Sequence, residues 1–156
     1  MRSIYLDSNI LISYYSTDPR EAPKKKMVQR ALDVFDRARD VYLCTSISAL
    51  TETVNILISE KKMPAADVED IEQRLFIESF GNLKLHFKDV SPDKNYDFDR
   101  FFYDVREVIL KYHSGVGDVI HSVIMKNNGV DFILTFDEKD DFKQIPGLTV
   151  FHPKDF

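Results

Sequence analysis

Short β-rich runs alternate with segments of helical period along this chain, and no other feature constrains its fold as strongly. The runs are Ser3-Ile4-Tyr5-Leu6, Val41-Tyr42-Leu43-Cys44, residues 83–90 with Leu83, Leu85 and Phe87 alternating against polar neighbours, Phe132-Ile133-Leu134, and Leu148-Thr149-Val150-Phe151. Strands separated by helices pair in parallel through crossovers, and the sheet is then covered on both faces. The expected architecture is therefore α/β, a three-layer α/β/α arrangement around a central parallel sheet of about five strands.

The spacing predicts helices over 24–39, 46–61, 65–80, 98–112 and 118–128. Apolar residues recur at three and four in the first (Val28, Ala31, Leu32, Phe35, Ala38), the third (Val68, Ile71, Leu75, Phe80) and the fourth (Phe98, Phe101, Phe102, Val105, Ile109, Tyr112). Each stripe reads as a buried helical face. Pro64 suits a first turn, and Gly129 suits a helix stop.

The 156 residues fit one domain spanning 1–156. No internal repeat or low-complexity segment divides them. The net charge of -5 argues against a generally basic nucleic-acid or membrane-binding surface, though not against a local patch. The single cysteine, Cys44, lies in an apolar run and reads as a small buried hydrophobe. Nothing approaches the ~20 apolar residues of a membrane span, and no secretory leader is recognisable. A soluble, cytoplasmic protein without membrane contact is expected.

The positions of the acids carry the chemistry. Asp7 closes the first strand and Asp137 follows the fourth. Asp118 stands where Gly115-Val116-Gly117 enters a helix, and Glu52 lies within the helix after the second strand. In open parallel sheets, ligands bind beyond the carboxyl ends of the strands, where these four carboxylates can converge. Each also has an ordinary role: a turn residue, a charge partner for a helix N-terminus, or a solvated helix face. Converging carboxylates repel one another unless a cation relieves them. An all-oxygen set favours Mg²⁺ or Mn²⁺ over zinc, and such ions support phosphodiester hydrolysis.

Four segments in order, Tyr5-Leu6-Asp7-Ser8-Asn9-Ile10-Leu11, Ser46-Ile47-Ser48-Ala49-Leu50-Thr51-Glu52-Thr53, Gly117-Asp118-Val119-Ile120-His121 and Leu134-Thr135-Phe136-Asp137, resemble the PIN-domain family of metal-dependent nucleases nearly end to end. The resemblance implies a PIN-like fold with Asp7, Glu52, Asp118 and Asp137 as catalytic metal ligands for Mg²⁺ or Mn²⁺. Asn9 and Thr135 match polar residues that support them, and His121 matches a common position on the helix of Asp118. Asp140 or Asp141 is a looser match to a further acid. The implied activity is hydrolysis of RNA. Small members of the family are commonly toxins of prokaryotic toxin–antitoxin pairs, so the resemblance implies an antitoxin partner and allows a homodimer. An RNA-processing nuclease that is not a toxin, or an inactive scaffold with the same fold, are the alternatives. A haloacid-dehalogenase-like phosphatase needs an Asp where this chain has Asn9, and a response-regulator receiver needs an acidic pair where it has Asp7-Ser8. The densest basic segment, residues 20–30 with Lys24, Lys25, Lys26 and Arg30, is either a phosphate-facing rim or a solvated helix face.

Overall fold

The computed structural model describes all residues except 78, 81, 139–141 and 143–144; Asp140 and Asp141 thus lie outside the described residues. In chain order the elements are β1 (Arg2–Leu6), α1 (Ser8–Tyr15), α2 (Ala22–Arg37), β2 (Val41–Ser46), α3 (Ile47–Ser59), α4 (Ala65–Ile77), β3 (Ser79–Phe80), β4 (Leu83–Lys88), α5 (Phe98–Tyr112), α6 (Val116–Asn127), β5 (Phe132–Leu134) and β6 (Thr149–Phe151). The sheet order is β3-β4-β2-β1-β5-β6. Every pairing is parallel except that of β3, a short edge strand antiparallel to β4. The five parallel strands are the expected ones.

Alternation along β1 sorts its side chains into two layers. Ile4 and Leu6 join a core with Leu43, Leu85, Leu134 and apolar residues of α1, α2, α3 and α4. Tyr5 points the other way, with Cys44, Ile133, Ala49 and Met125 of α6. Helices therefore cover both faces, and the central strands read as apolar runs because neither face meets water. Cys44 is fully buried, as its setting in the sequence implies.

Three departures from the expected elements have physical causes. Helix α1 is one the hydrophobic period does not announce. Ser8, Ile10, Leu11, Ile12 and Ser13 are all buried, so it has no polar face to mark its period. Its cap is legible in hindsight: Asp7 is in extended conformation and accepts from the Ser8 amide. Second, α4 ends at Ile77, and Phe80 is a strand residue. Its ring is buried against Tyr14, with centroids 5.1 Å apart, so an apolar stripe cannot tell the two placements apart.

The third departure concerns α5. Its strong stripe is not a core face: none of its residues, all of them described, is buried. Phe98 and Phe102 are 76% and 62% exposed. The helix packs chiefly on α6, outside the layer that reaches the sheet. Among the described residues, no helix is long and apolar enough to cross a membrane.

Candidate active site

Strand β1 is central, and chain order reverses there: β2 and β4 lie on one side, β5 and β6 on the other. Such a switch point opens a crevice at the carboxyl ends of the strands. Leu6 pairs with Leu134, and the Asp7 amide donates to the Leu134 carbonyl at 3.2 Å. The register therefore delivers Asp7 and the Thr135-Phe136-Asp137 turn to the same edge.

These residues are bound to one another directly. Thr135 Oγ1 donates to Asp7 Oδ2 at 2.7 Å and accepts from the Asp137 amide at 3.0 Å. Asn9 Nδ2 lies 3.1 Å from Asp7 Oδ2, 2.9 Å from Thr135 Oγ1 and 3.1 Å from Asp137 Oδ2. Asn9 Oδ1 accepts from the Phe136 amide at 3.2 Å. The first turn of α1 places Asn9 between the two strand ends, so one amide orients both carboxylates.

Asp7 is buried and fully engaged. Its Oδ1 accepts from the Ser8 amide at 2.7 Å. Burial pushes its carboxyl up to about 6. The attraction of His121 and the hydrogen bonds from Thr135 and Ser8 oppose that rise, while the charge of Asp137 adds to it.

Glu52 and Asp118 arrive through a different group. Ser46 ends β2 and caps α3, its Oγ accepting from the Ala49 amide. Glu52 lies in the second turn of that helix, and its Oε2 is 3.2 Å from Nε2 of the buried His121. The bond to His121 holds the Glu52 carboxyl below its ordinary value, against the opposing effect of burial. Asp118 is in the first turn of α6, one turn before His121, where its charge suits the helix N-terminus. Its Oδ2 would stand 3.7 Å from a Cβ at Gly115. Burial disfavours charge on His121, but its bond to Glu52 and the fields of Asp7, Glu52 and Asp118 prevail and raise its value.

The structure thus joins Asp7, Asn9, Thr135 and Asp137 in one hydrogen-bonded group, and His121 connects that group electrostatically to Glu52 and Asp118. Among the described residues, no three His, Cys, Asp or Glu side chains are gathered closely enough to form a ready-made metal cluster. The donor chemistry nevertheless suits a hard divalent cation: Asp7 and Asp137 share Asn9 and Thr135, Glu52 is bonded to His121, and Asp118 stands one turn before that histidine, so every candidate ligand is a carboxylate.

Sequence reasoning did not single out Tyr5, and it took Ser46 only as a helix start. Tyr5 OH lies 2.6 Å from Ser46 Oγ and 3.0 Å from His121 Nδ1. The available signal was a hydroxyl-bearing ring between the aliphatic core residues Ile4 and Leu6. In the basic segment, Lys24 Nζ sits 5.4 Å from the centre of the Phe136 ring, one residue from Asp137. Arg20 instead forks onto Asp18.

No protein-family profile and no curated protein sequence matches the chain. Solved structures do. VapBC2 from Rickettsia felis, bound to a DNA fragment from its promoter, is 16% identical, with 96% of this chain and 98% of that chain covered and a TM-score of 0.62. Mycobacterium tuberculosis VapC20, a sarcin–ricin loop cleaving toxin, is 12% identical, with 92% and 97% covered and a TM-score of 0.62. FitAB bound to an IR36 DNA fragment is 16% identical, with 96% and 94% covered and a TM-score of 0.56. At these identities the likeness establishes the fold, and it is the PIN-like α/β fold implied by the four ordered motifs.

Proposed function

We propose that this protein is a metal-dependent endoribonuclease and the toxin of a toxin–antitoxin pair. The observation that carries the reading is the site at the switch point, where Asn9 and Thr135 bind Asp7 to Asp137 while His121 connects Glu52 and Asp118 to them. Asp7, Glu52, Asp118 and Asp137 are the residues that would hold Mg²⁺ or Mn²⁺. Such an ion, when bound, supplies activation of water and neutralisation of charge on a phosphate under attack.

The chain's own residues do the rest. Asn9 and Thr135 fix the directions of the Asp7 and Asp137 carboxylates. His121 holds Glu52. Lys24, beside Phe136, offers a cation for an RNA phosphate at the rim. The toxin role draws on the fold shared with VapC20, a sarcin–ricin loop cleaving toxin, and with the VapBC2 and FitAB assemblies. A protein antitoxin is the corresponding partner. A second copy of the chain has a surface to use: an apolar groove of about 380 Å³ between α5 and α6, lined by Phe98, Phe102, Val105, Ile109, Val116 and Ile120.

The direct test is cleavage of RNA with Mn²⁺, with and without EDTA, by the wild type, Asp7→Asn and Asp118→Asn. Cleavage that needs the metal and falls by at least about 10²-fold in both variants is expected. Equal cleavage by all three would overturn the site. Growth arrest on expression, relieved by a co-encoded partner, separates a toxin from an RNA-processing nuclease.

A further inference from the structure

We propose that Tyr5 is a positioning residue for Glu52, acting through His121. The inference rests on the metal-site reading above and goes beyond it, because Tyr5 touches none of the four carboxylates in the hydrogen bonds described.

The Tyr5 side chain is 0% exposed, in the central strand of the sheet. A phenylalanine would fill that space without a polar atom, and a buried hydroxyl is costly unless it is bonded. Here it has two partners, Ser46 Oγ at 2.6 Å and His121 Nδ1 at 3.0 Å. The opposite ring nitrogen, Nε2, meets Glu52 Oε2 at 3.2 Å. An ionised carboxylate only accepts, so Nε2 carries a proton. In the neutral ring Nδ1 then accepts from the Tyr5 hydroxyl; in the protonated ring it donates to the Tyr5 oxygen, so Tyr5 is its partner in both states. Ser46 in turn donates to Tyr5 while accepting from the Ala49 amide. Every donor and acceptor is matched in this direction, and with the ring protonated the Tyr5 hydroxyl donates to Ser46 instead and the match is kept.

The contacts close a ring through β1, α6 and the junction of β2 with α3. Ser46 ends β2 and caps α3, Tyr5 belongs to β1, His121 to α6, and Glu52 returns to α3. Each of these elements carries or directly precedes one candidate ligand: β1 leads into Asp7, α6 holds Asp118, and α3 holds Glu52. Glu52 needs such a device most. Its side chain is 42% exposed, and a glutamate with that freedom occupies many rotamers. An imidazole can restrict it only if its own ring orientation is fixed, and the bond at Nδ1 supplies that.

The test uses the full chain as wild type, Tyr5→Phe, Glu52→Gln and the double variant. Two readouts are made: the His121 ring ¹⁵N and Glu52 carboxyl ¹³C shifts by NMR without metal, and Mn²⁺ affinity by calorimetry. Tyr5→Phe is expected to move both shifts, the Glu52 signal toward that of a solvated glutamate, and to weaken Mn²⁺ binding about tenfold. In the Glu52→Gln background the same substitution is expected to have little further effect on affinity, since the two act on one interaction. His121→Gln, which keeps an amide donor toward Glu52, is expected to retain more affinity than His121→Phe, and it serves if Tyr5→Phe does not fold. Unmoved shifts, equal losses in both backgrounds, or equal losses in the two His121 variants would overturn the proposal. A wild type that binds no Mn²⁺ overturns the metal-site reading itself, and the metal-free NMR comparison tells that outcome apart from failure of the Tyr5 contact.

Discussion

Thr135 Oγ1 donates to Asp7 Oδ2 at 2.7 Å across the β1–β5 boundary, and the same oxygen accepts from the Asp137 amide and from Asn9. One hydroxyl with a single proton and two lone pairs is fully used. Thr135→Val keeps the shape and removes all three bonds. It is expected to destabilise the protein by about 1–3 kcal/mol, because buried partners are left unsatisfied. Thermal unfolding should show a Tm lower by roughly 2–4 °C per kcal/mol, with Thr135→Ser retaining most of the wild-type value.

A second expectation concerns acid. Glu21 is buried, accepting from Lys61 Nζ, just past the end of α3, at 2.7 Å and from Ser13 Oγ of α1 at 3.0 Å. Burial pushes its carboxyl up, but the bonds from Lys61 and Ser13 outweigh that and lower it. A depressed acid stabilises the fold above its unfolded value, about 4.3, and that contribution is lost as pH falls through the folded value. Lys61→Met leaves the charge without its partner and should cost about 3 kcal/mol near pH 7. Tm measured from pH 7 down to pH 3 is expected to show the gap between wild type and Lys61→Met closing as Glu21 takes up its proton.

Cys44 offers a probe of core integrity. Burial pushes its thiol up to about 12, and the side chain is inaccessible. Near neutral pH the thiol form therefore dominates, and the thiolate is the reactive form. A disulfide reagent should leave Cys44 unmodified in the native protein and modify it stoichiometrically in guanidinium chloride.

Helix α5 separates packing from pattern. Phe102 is a stripe residue by spacing yet lies exposed. Phe102→Ser is expected to change folding stability by less than about 0.5 kcal/mol, as at other exposed positions. The same change should weaken self-association in sedimentation if a second copy covers this face, because exposed apolar patches of this kind mark interaction sites.

Lys24 gives the rim a direct measurement. Lys24→Glu should lower RNA affinity at low salt and reduce the salt slope by about one phosphate contact, while folding stability stays within about 0.5 kcal/mol. Unchanged affinity and slope would assign Lys24 to a solvated face.

Much of the site is legible because it depends on local syntax. Asp7 and Asp137 each follow an apolar strand, and a parallel α/β sheet brings such ends to one edge whatever the details of packing. The support from Asn9 and Thr135 is anticipated only by the resemblance to the PIN-domain family, and both stand two residues from an acid they bond. Tyr5 could not be anticipated, since its partners Ser46 and His121 stand 41 and 116 residues away. Helix α1 escaped for the opposite reason: burial on all sides erases the period by which a helix is recognised.

The sequence by itself determines the parallel five-strand sheet, the order of the acidic motifs and the burial of Cys44, because period, strand length and strand-end position are properties of short segments. Only the tertiary structure decides that α5 stands outside the core with its aromatics exposed, that Phe80 is a strand residue, and that Asp7 reaches Asp137 directly through Asn9 and Thr135 while Glu52 is held by His121. Those outcomes depend on which surfaces are covered and which distant groups meet, and neither is encoded in the spacing of a single segment.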